Sequence, residues 1–98
     1  MNHTIINAIN NMEILSFTYK DNSRVVEPHA YGTGSDGNDL LRAYQTEGGY
    51  SSPGRLTKWR LFEVKKIHNL SLTGEKFNGA RHGYHRDDQA IDHIYAQL

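Results

Sequence analysis

Residues 13–27 read Glu13-Ile14-Leu15-Ser16-Phe17-Thr18-Tyr19-Lys20-Asp21-Asn22-Ser23-Arg24-Val25-Val26-Glu27. Leu15, Phe17 and Tyr19 alternate with Ser16, Thr18 and Lys20, a period of two that turns one side of a strand to a core and the other to water. Lys20-Asp21-Asn22-Ser23 has the composition of a turn, and Arg24-Val25-Val26-Glu27 restarts extended structure, so the stretch predicts a β-hairpin. Pro28 has no amide hydrogen, which puts the second strand at an edge, bends it, or limits its pairing.

Upstream, Ile5, Ala8, Ile9 and Met12 recur at helical spacing, with Asn2 or Thr4 placed to cap them, and predict a short helix over 1–12. Downstream, Gly32 to Gly37 is a second turn region and Leu40 to Tyr44 a strand, followed by a loop from Glu47 to Gly54. Trp59 to Val64 and Ile67 to Thr73 read as two more strands, the latter stopped by Gly74. At the end of the chain Ile91, Ile94, Tyr95 and Leu98 form an apolar stripe behind Asp87 or Asp88 as cap, which predicts a C-terminal helix over 86–98. The expected architecture is therefore one domain over 1–98, mainly β, with five short antiparallel strands over 13–77 forming a small barrel between two flanking helices.

Composition narrows the function classes. With no cysteine, the chain has no disulfide, no thiolate metal site and no cysteine nucleophile. A cytoplasmic setting is expected, because no secretory signal pattern opens the chain and no apolar run is long enough to span a bilayer. Net charge is zero but unevenly spread. Residues 1–54 carry three basic and six acidic side chains, whereas 55–86 carry eight basic and two acidic ones. Such a basic segment fits either an anionic partner or a solvated face.

The six histidines invite a metal reading, and His82 and His85 in His82-Gly83-Tyr84-His85 are close enough to share an ion. A zinc site needs three or four ligands, and no other residues cluster at suitable spacing, so neither a metal nor a cofactor is expected. No nucleophile–base–orienter pattern is discernible, and Gly32, Gly34 and Gly37 are not followed by the Lys-Ser/Thr and helix of a phosphate loop. The chain is expected to bind rather than catalyse; a hydrolase built on His82, His85 and the neighbouring aspartates is the distant alternative.

The densest local pattern is Arg60-Leu61-Phe62-Glu63-Val64-Lys65-Lys66-Ile67. Together with Phe17-Thr18-Tyr19, Arg24 four positions before Pro28, Leu40-Leu41-Arg42-Ala43-Tyr44 and the later Phe77, it resembles the WYL domain family. These are bacterial modules often fused to helix-turn-helix transcription regulators and also found around phage defence systems. The resemblance covers roughly residues 5 to 77 and rests on the ordered set rather than on any single piece. The tripeptide that names the family is replaced by Asp39-Leu40-Leu41, and Lys66 stands where arginine is usual, so a bidentate fork is lost there. No helix-turn-helix precedes the pattern, and a stand-alone member is expected.

The resemblance implies an SH3-like (Sm-like) barrel whose basic cleft binds a nucleic acid, single-stranded in the first instance, or a nucleotide-like anion. The ligand-binding residues it implies are Arg24, Arg42, Tyr44, Arg60, Phe62 and Lys66. Strand alternation allows Arg60 to hold a phosphate beside an aromatic ring, and equally allows Phe62 to be core with Arg60 at its rim. The alternative class is a protein-interaction or self-assembling barrel, a homo-oligomer through an exposed strand edge.

Overall fold

The structure is a computed structural model and describes residues 1–49 and 57–98. Helix α1 (His3–Asn11) starts where Asn2 Oδ1 accepts the Ile5 amide at 3.1 Å. It stops where Met12 turns left-handed and donates its N–H to the Ala8 and Ile9 carbonyls. The face it buries is Ile5, Ala8 and Ile9, as the spacing predicts.

Strands β1 (Glu13–Tyr19) and β2 (Asn22–Thr33) form the expected hairpin. Lys20 and Asp21 both take positive φ, at 50° and 63°, the pair of left-handed residues that a two-residue turn needs to match strand twist. Leu15 then faces Val26 and Phe17 faces Arg24. After a turn through Gly34 to Asn38, β3 (Asp39–Gly48) pairs along β2 from Arg24 to Thr33. Strand β4 (Trp59–Glu63) lies on β3, a 3-10 turn follows at Val64–Lys66, and β5 (His68–Lys76) returns to β1. Gly74 does not stop β5, which accommodates its φ of +83° and runs on to Lys76. Of the expected loop at Glu47–Gly54, residues 47 and 48 belong to β3, and 50–54 lie outside the described residues.

The C-terminal helix expected over 86–98 is not formed; the chain ends instead in a sixth strand, β6 (His93–Gln97). On the side of β2 opposite β3, β1 pairs only with residues 22–26, leaving residues 30–33 with open ladder positions. Strand β6 fills them, with Gly32 opposite Ile94 and Tyr31 opposite Ala96. Beta-branched and aromatic Ile94 and Tyr95 suit that role, and the thirteen residues 86–98 could offer only a marginal isolated helix against a ready ladder. Asp88 does begin a helix-like turn, accepting the Ala90 amide at its Oδ1 and the Ile91 amide at its carbonyl, but Asp87 is left-handed and the turn goes no further. The result is a six-stranded antiparallel sheet in the order β4-β3-β2-β1-β5, with β6 against the far half of β2.

Pro28 falls between the β1-paired and β6-paired parts of β2, and a register shift against β3 follows it at His29. Its partial pairing is thus where the missing amide hydrogen costs least.

One face of the sheet packs Leu15, Phe17, Tyr19, Val26, Tyr31, Leu41, Ala43 and Phe62 together with the buried face of α1; closure into a barrel is not shown. Phe62 sits edge-on to both Phe17 and Tyr19, with ring centroids 5.0 and 4.9 Å apart. Within the same core, Tyr31 donates to Asp39 Oδ2 at 2.9 Å and accepts the Asn2 amide at 2.9 Å. Asp39 also accepts from Thr33, which bonds Tyr95. This network joins α1, β2, β3 and β6. Burial, helped by Asp39, pushes the Tyr31 hydroxyl up to about 12. Among the described residues no helix is long and apolar enough to cross a membrane.

Candidate functional site

Alternation along β3 and β4 divides the residues singled out in the sequence. Ala43 faces Arg60 and Leu41 faces Phe62 across the β3–β4 ladder, so Arg60 and Phe62 lie on the inner side with the core. Arg24, opposite Phe17, is on that side too. Tyr44 faces Trp59 and Arg42 faces Leu61, which places Arg42 and Tyr44 on the outer side. Lys66 is exposed on the 3-10 turn. The six therefore do not form one basic cleft.

On the inner side, Arg24 is only 2% exposed. Its Nη1 donates to Gln45 Oε1 and its Nη2 to the Tyr19 carbonyl, both at 3.2 Å, while its buried Nε has no hydrogen-bond partner among the described residues. The guanidinium lies over the rings of Tyr19 and Phe62, 5.6 and 6.0 Å from their centroids. No carboxylate among the described residues pairs with it. Desolvation lowers the Arg24 pKa from its ordinary value, against a smaller opposing effect of Tyr19. Gln45 is fixed in turn, because its Nε2 donates to the Gly49 carbonyl at 3.0 Å.

Arg60, 6% exposed, is turned back on its own strand: its Nη1 donates to the carbonyls of Thr57 and Trp59 at 2.6 and 2.9 Å. Phe62 is core. Lys66 and Glu63 hold each other at 2.6 Å; their mutual hydrogen bond raises the lysine pKa and lowers that of the carboxyl. An exposed pair of this kind contributes little to stability.

The outer side of the sheet is crossed by residues 77–92, which have no regular secondary structure. Buried Glu27 takes Arg81 in a bidentate pair at 2.7 and 2.9 Å, and the Arg81 guanidinium lies 4.5 Å from the Tyr44 ring centroid. His29 is fully buried beneath this segment. Its Nδ1 donates to the Glu27 carbonyl at 2.8 Å and its Nε2 accepts the Arg81 amide at 3.0 Å, which requires the neutral ring. Trp59, Tyr84 and Phe77 surround it at centroid distances of 4.7, 5.1 and 5.8 Å.

Asp88, read from the sequence as a helix cap, is instead the partner of Arg42: it accepts from Nε at 2.6 Å and Nη2 at 3.4 Å. Burial works to raise the Asp88 pKa, but hydrogen bonds from Arg42 and the Ala90 amide outweigh it and hold the carboxyl below its usual range. Asp87 is likewise not a cap; its carboxylate accepts from Gln97 Nε2 at 3.0 Å. Between Arg42, Trp59 and residues 83–89 lies an open cleft of about 610 Å³. His85 lines it, and the His82 carbonyl accepts the Trp59 indole N–H. No group of three or more His, Asp or Glu able to hold a metal occurs among the described residues.

Gln45, Glu27, His29, Arg81 and Tyr84 carry no signal in the sequence pattern, since their roles depend on which strands become neighbours. Arg42, Tyr44, His85, Asp87 and Asp88 are marked by the sequence, but in other roles, and their convergence on this side of the sheet is not. Comparison of the chain with family models, with curated proteins and with solved structures returned no match.

Proposed function

We propose that the chain is a ligand-binding regulatory module that holds an anionic group, a phosphate of nucleic acid or of a nucleotide, at Arg24. The observation that carries this reading is a guanidinium with 2% exposure that, among the described residues, has neutral oxygen partners only and an unbonded Nε. Burying a charge without a counter-ion costs several kcal/mol, on the order of a whole domain's margin of stability, and an anionic ligand relieves that cost. Tyr19 and Phe62 give the guanidinium its aromatic flanks, and Gln45 fixes its plane. Binding is by charge-assisted hydrogen bonds, with no bond made or broken.

The WYL-like reading supports the same assignment, because Arg24 is the arginine that precedes the proline in the family-like pattern. The finer fold reading, an SH3-like (Sm-like) barrel, draws support from the strand order β4-β3-β2-β1-β5 and the 3-10 turn between β4 and β5. A cytoplasmic setting fits a chain without cysteine.

The test is an anisotropy titration of wild type and Arg24→Met with a single-stranded oligonucleotide, and a thermal-shift titration with AMP and inorganic phosphate, each at two salt concentrations. Wild type should bind with an affinity that falls as salt rises, and the variant should lose that binding while remaining folded. Absence of binding at low salt, or equal binding by the variant, refutes the assignment.

A second reading, an interaction or self-assembling module, is favoured by β5. It is an edge strand, exposed at every residue but Leu70, with Leu72 at 45% exposure. Concentration-dependent sedimentation that disappears in Leu72→Lys would support it.

A further inference from the structure

The cleft on the outer side of the sheet is separate from the Arg24 site, and we propose that it binds a purine nucleoside or its monophosphate. Three features of the cleft lead to that ligand.

The first is size and wall. About 610 Å³ lies within the range of small-molecule sites, and the wall is aromatic: Trp59 and Tyr84 stack with centroids 6.2 Å apart and planes within 25°. The second is rigidity. Tyr44 and His29 brace the indole edge-on, its N–H is held by the His82 carbonyl, and Gly83 lies so close that a Cβ there would stand 3.2 Å from the indole nitrogen. A flat ring that stacks on a wall already fixed gives up little ordering entropy.

The third is the balance of polar groups. Asp88 has both carboxylate oxygens engaged, on Arg42 and the Ala90 amide, and Asp87 has one of its two engaged, on Gln97. The guanidinium groups of Arg42 and Arg86 keep N–H donors to spare. Arg42 Nη1 has no hydrogen bond among the described residues, and Arg86 uses only its Nε, on the Leu98 carbonyl. Acidic and basic groups at the rim are equal in number, so a highly charged ligand gains little. A flat, nearly neutral ring with acceptors at its edge gains from both wall and donors. The guanine edge, with O6 and N7 side by side, is the base edge that guanidinium groups match best.

Trp59 is the only tryptophan in the chain, so its fluorescence reads the cleft directly. GMP should quench it saturably, AMP more weakly, and inorganic phosphate not at all. Arg86→Ala, which removes an exposed side chain, should weaken GMP by about tenfold while the far-UV spectrum is unchanged. A matching shift of the indole N–H resonance in wild type gives a second, independent readout. The proposal is overturned if GMP produces neither change up to millimolar concentration, if phosphate alone reproduces the quench, or if Arg86→Ala binds as wild type does.

Discussion

Acidification should weaken this fold through one histidine. His29 is fully buried with both ring nitrogens engaged, Nδ1 as donor to Glu27 and Nε2 as acceptor from the Arg81 amide. Protonation would turn the acceptor into a second donor facing an N–H, beside the Arg81 guanidinium. Desolvation lowers the His29 pKa below its ordinary 6.5; the Glu27 carbonyl and carboxylate oppose the shift, and Arg81 adds to it. The unfolded chain therefore takes up this proton first as pH falls. The stability tied to His29 is fully present above the unfolded pKa and is lost as pH drops through 6.5 toward the lower folded value. One proton gives a limiting slope of about 1.36 kcal/mol per pH unit, so between about pH 7.5 and about pH 5 the loss is bounded at about 2 kcal/mol. Urea unfolding at the two pH values, for wild type and His29→Gln, isolates the contribution. The variant will be less stable at neutral pH, but its pH dependence should be shallower by up to that amount. Parallel pH dependences would refute the neutral, doubly bonded histidine.

Two further outcomes concern β6. Gly32→Ala places a Cβ 2.1 Å from the His93 carbonyl oxygen and 2.6 Å from Ile91 Cγ2, so β6 must move off β2; chemical denaturation should show a loss of at least roughly the 1–3 kcal/mol typical of an overpacked core. Truncation before His93 leaves β2 residues 30–33 unpaired on one side and removes the Tyr95 contact with Tyr31, and should lower the melting temperature by several degrees; an unchanged melt would mean that β6 is dispensable.

Local pattern was enough for the parts of the fold that local forces decide. The apolar spacing of Ile5, Ala8 and Ile9 marks α1, and the alternation from Leu15 to Tyr19 marks β1. The C-terminal stripe misled because Ile91, Ile94, Tyr95 and Leu98 satisfy a helical period while the open side of β2, more than fifty residues earlier, offered them a ladder. The site divided for a related reason. Arg42 and Arg60 are both basic strand residues in the sequence, but the Ala43–Arg60 register sends them to opposite sides of one sheet. Arg24 is legible as a candidate in the sequence, whereas the lack of a counter-ion for it among the described residues depends on Gln45 and Tyr19 being its neighbours.

The end-to-end arrangement of β1 and β6 along β2 bears on synthesis. A ribosome releases β1, β2 and β3 early, and these can zip together while the rest is being made. The far half of β2 nevertheless waits for residues 93–97, so during translation it presents bare amides and carbonyls to whatever is near. That edge is covered only once residues 93–97 have left the exit tunnel, and until then the nascent chain carries an aggregation-prone strand.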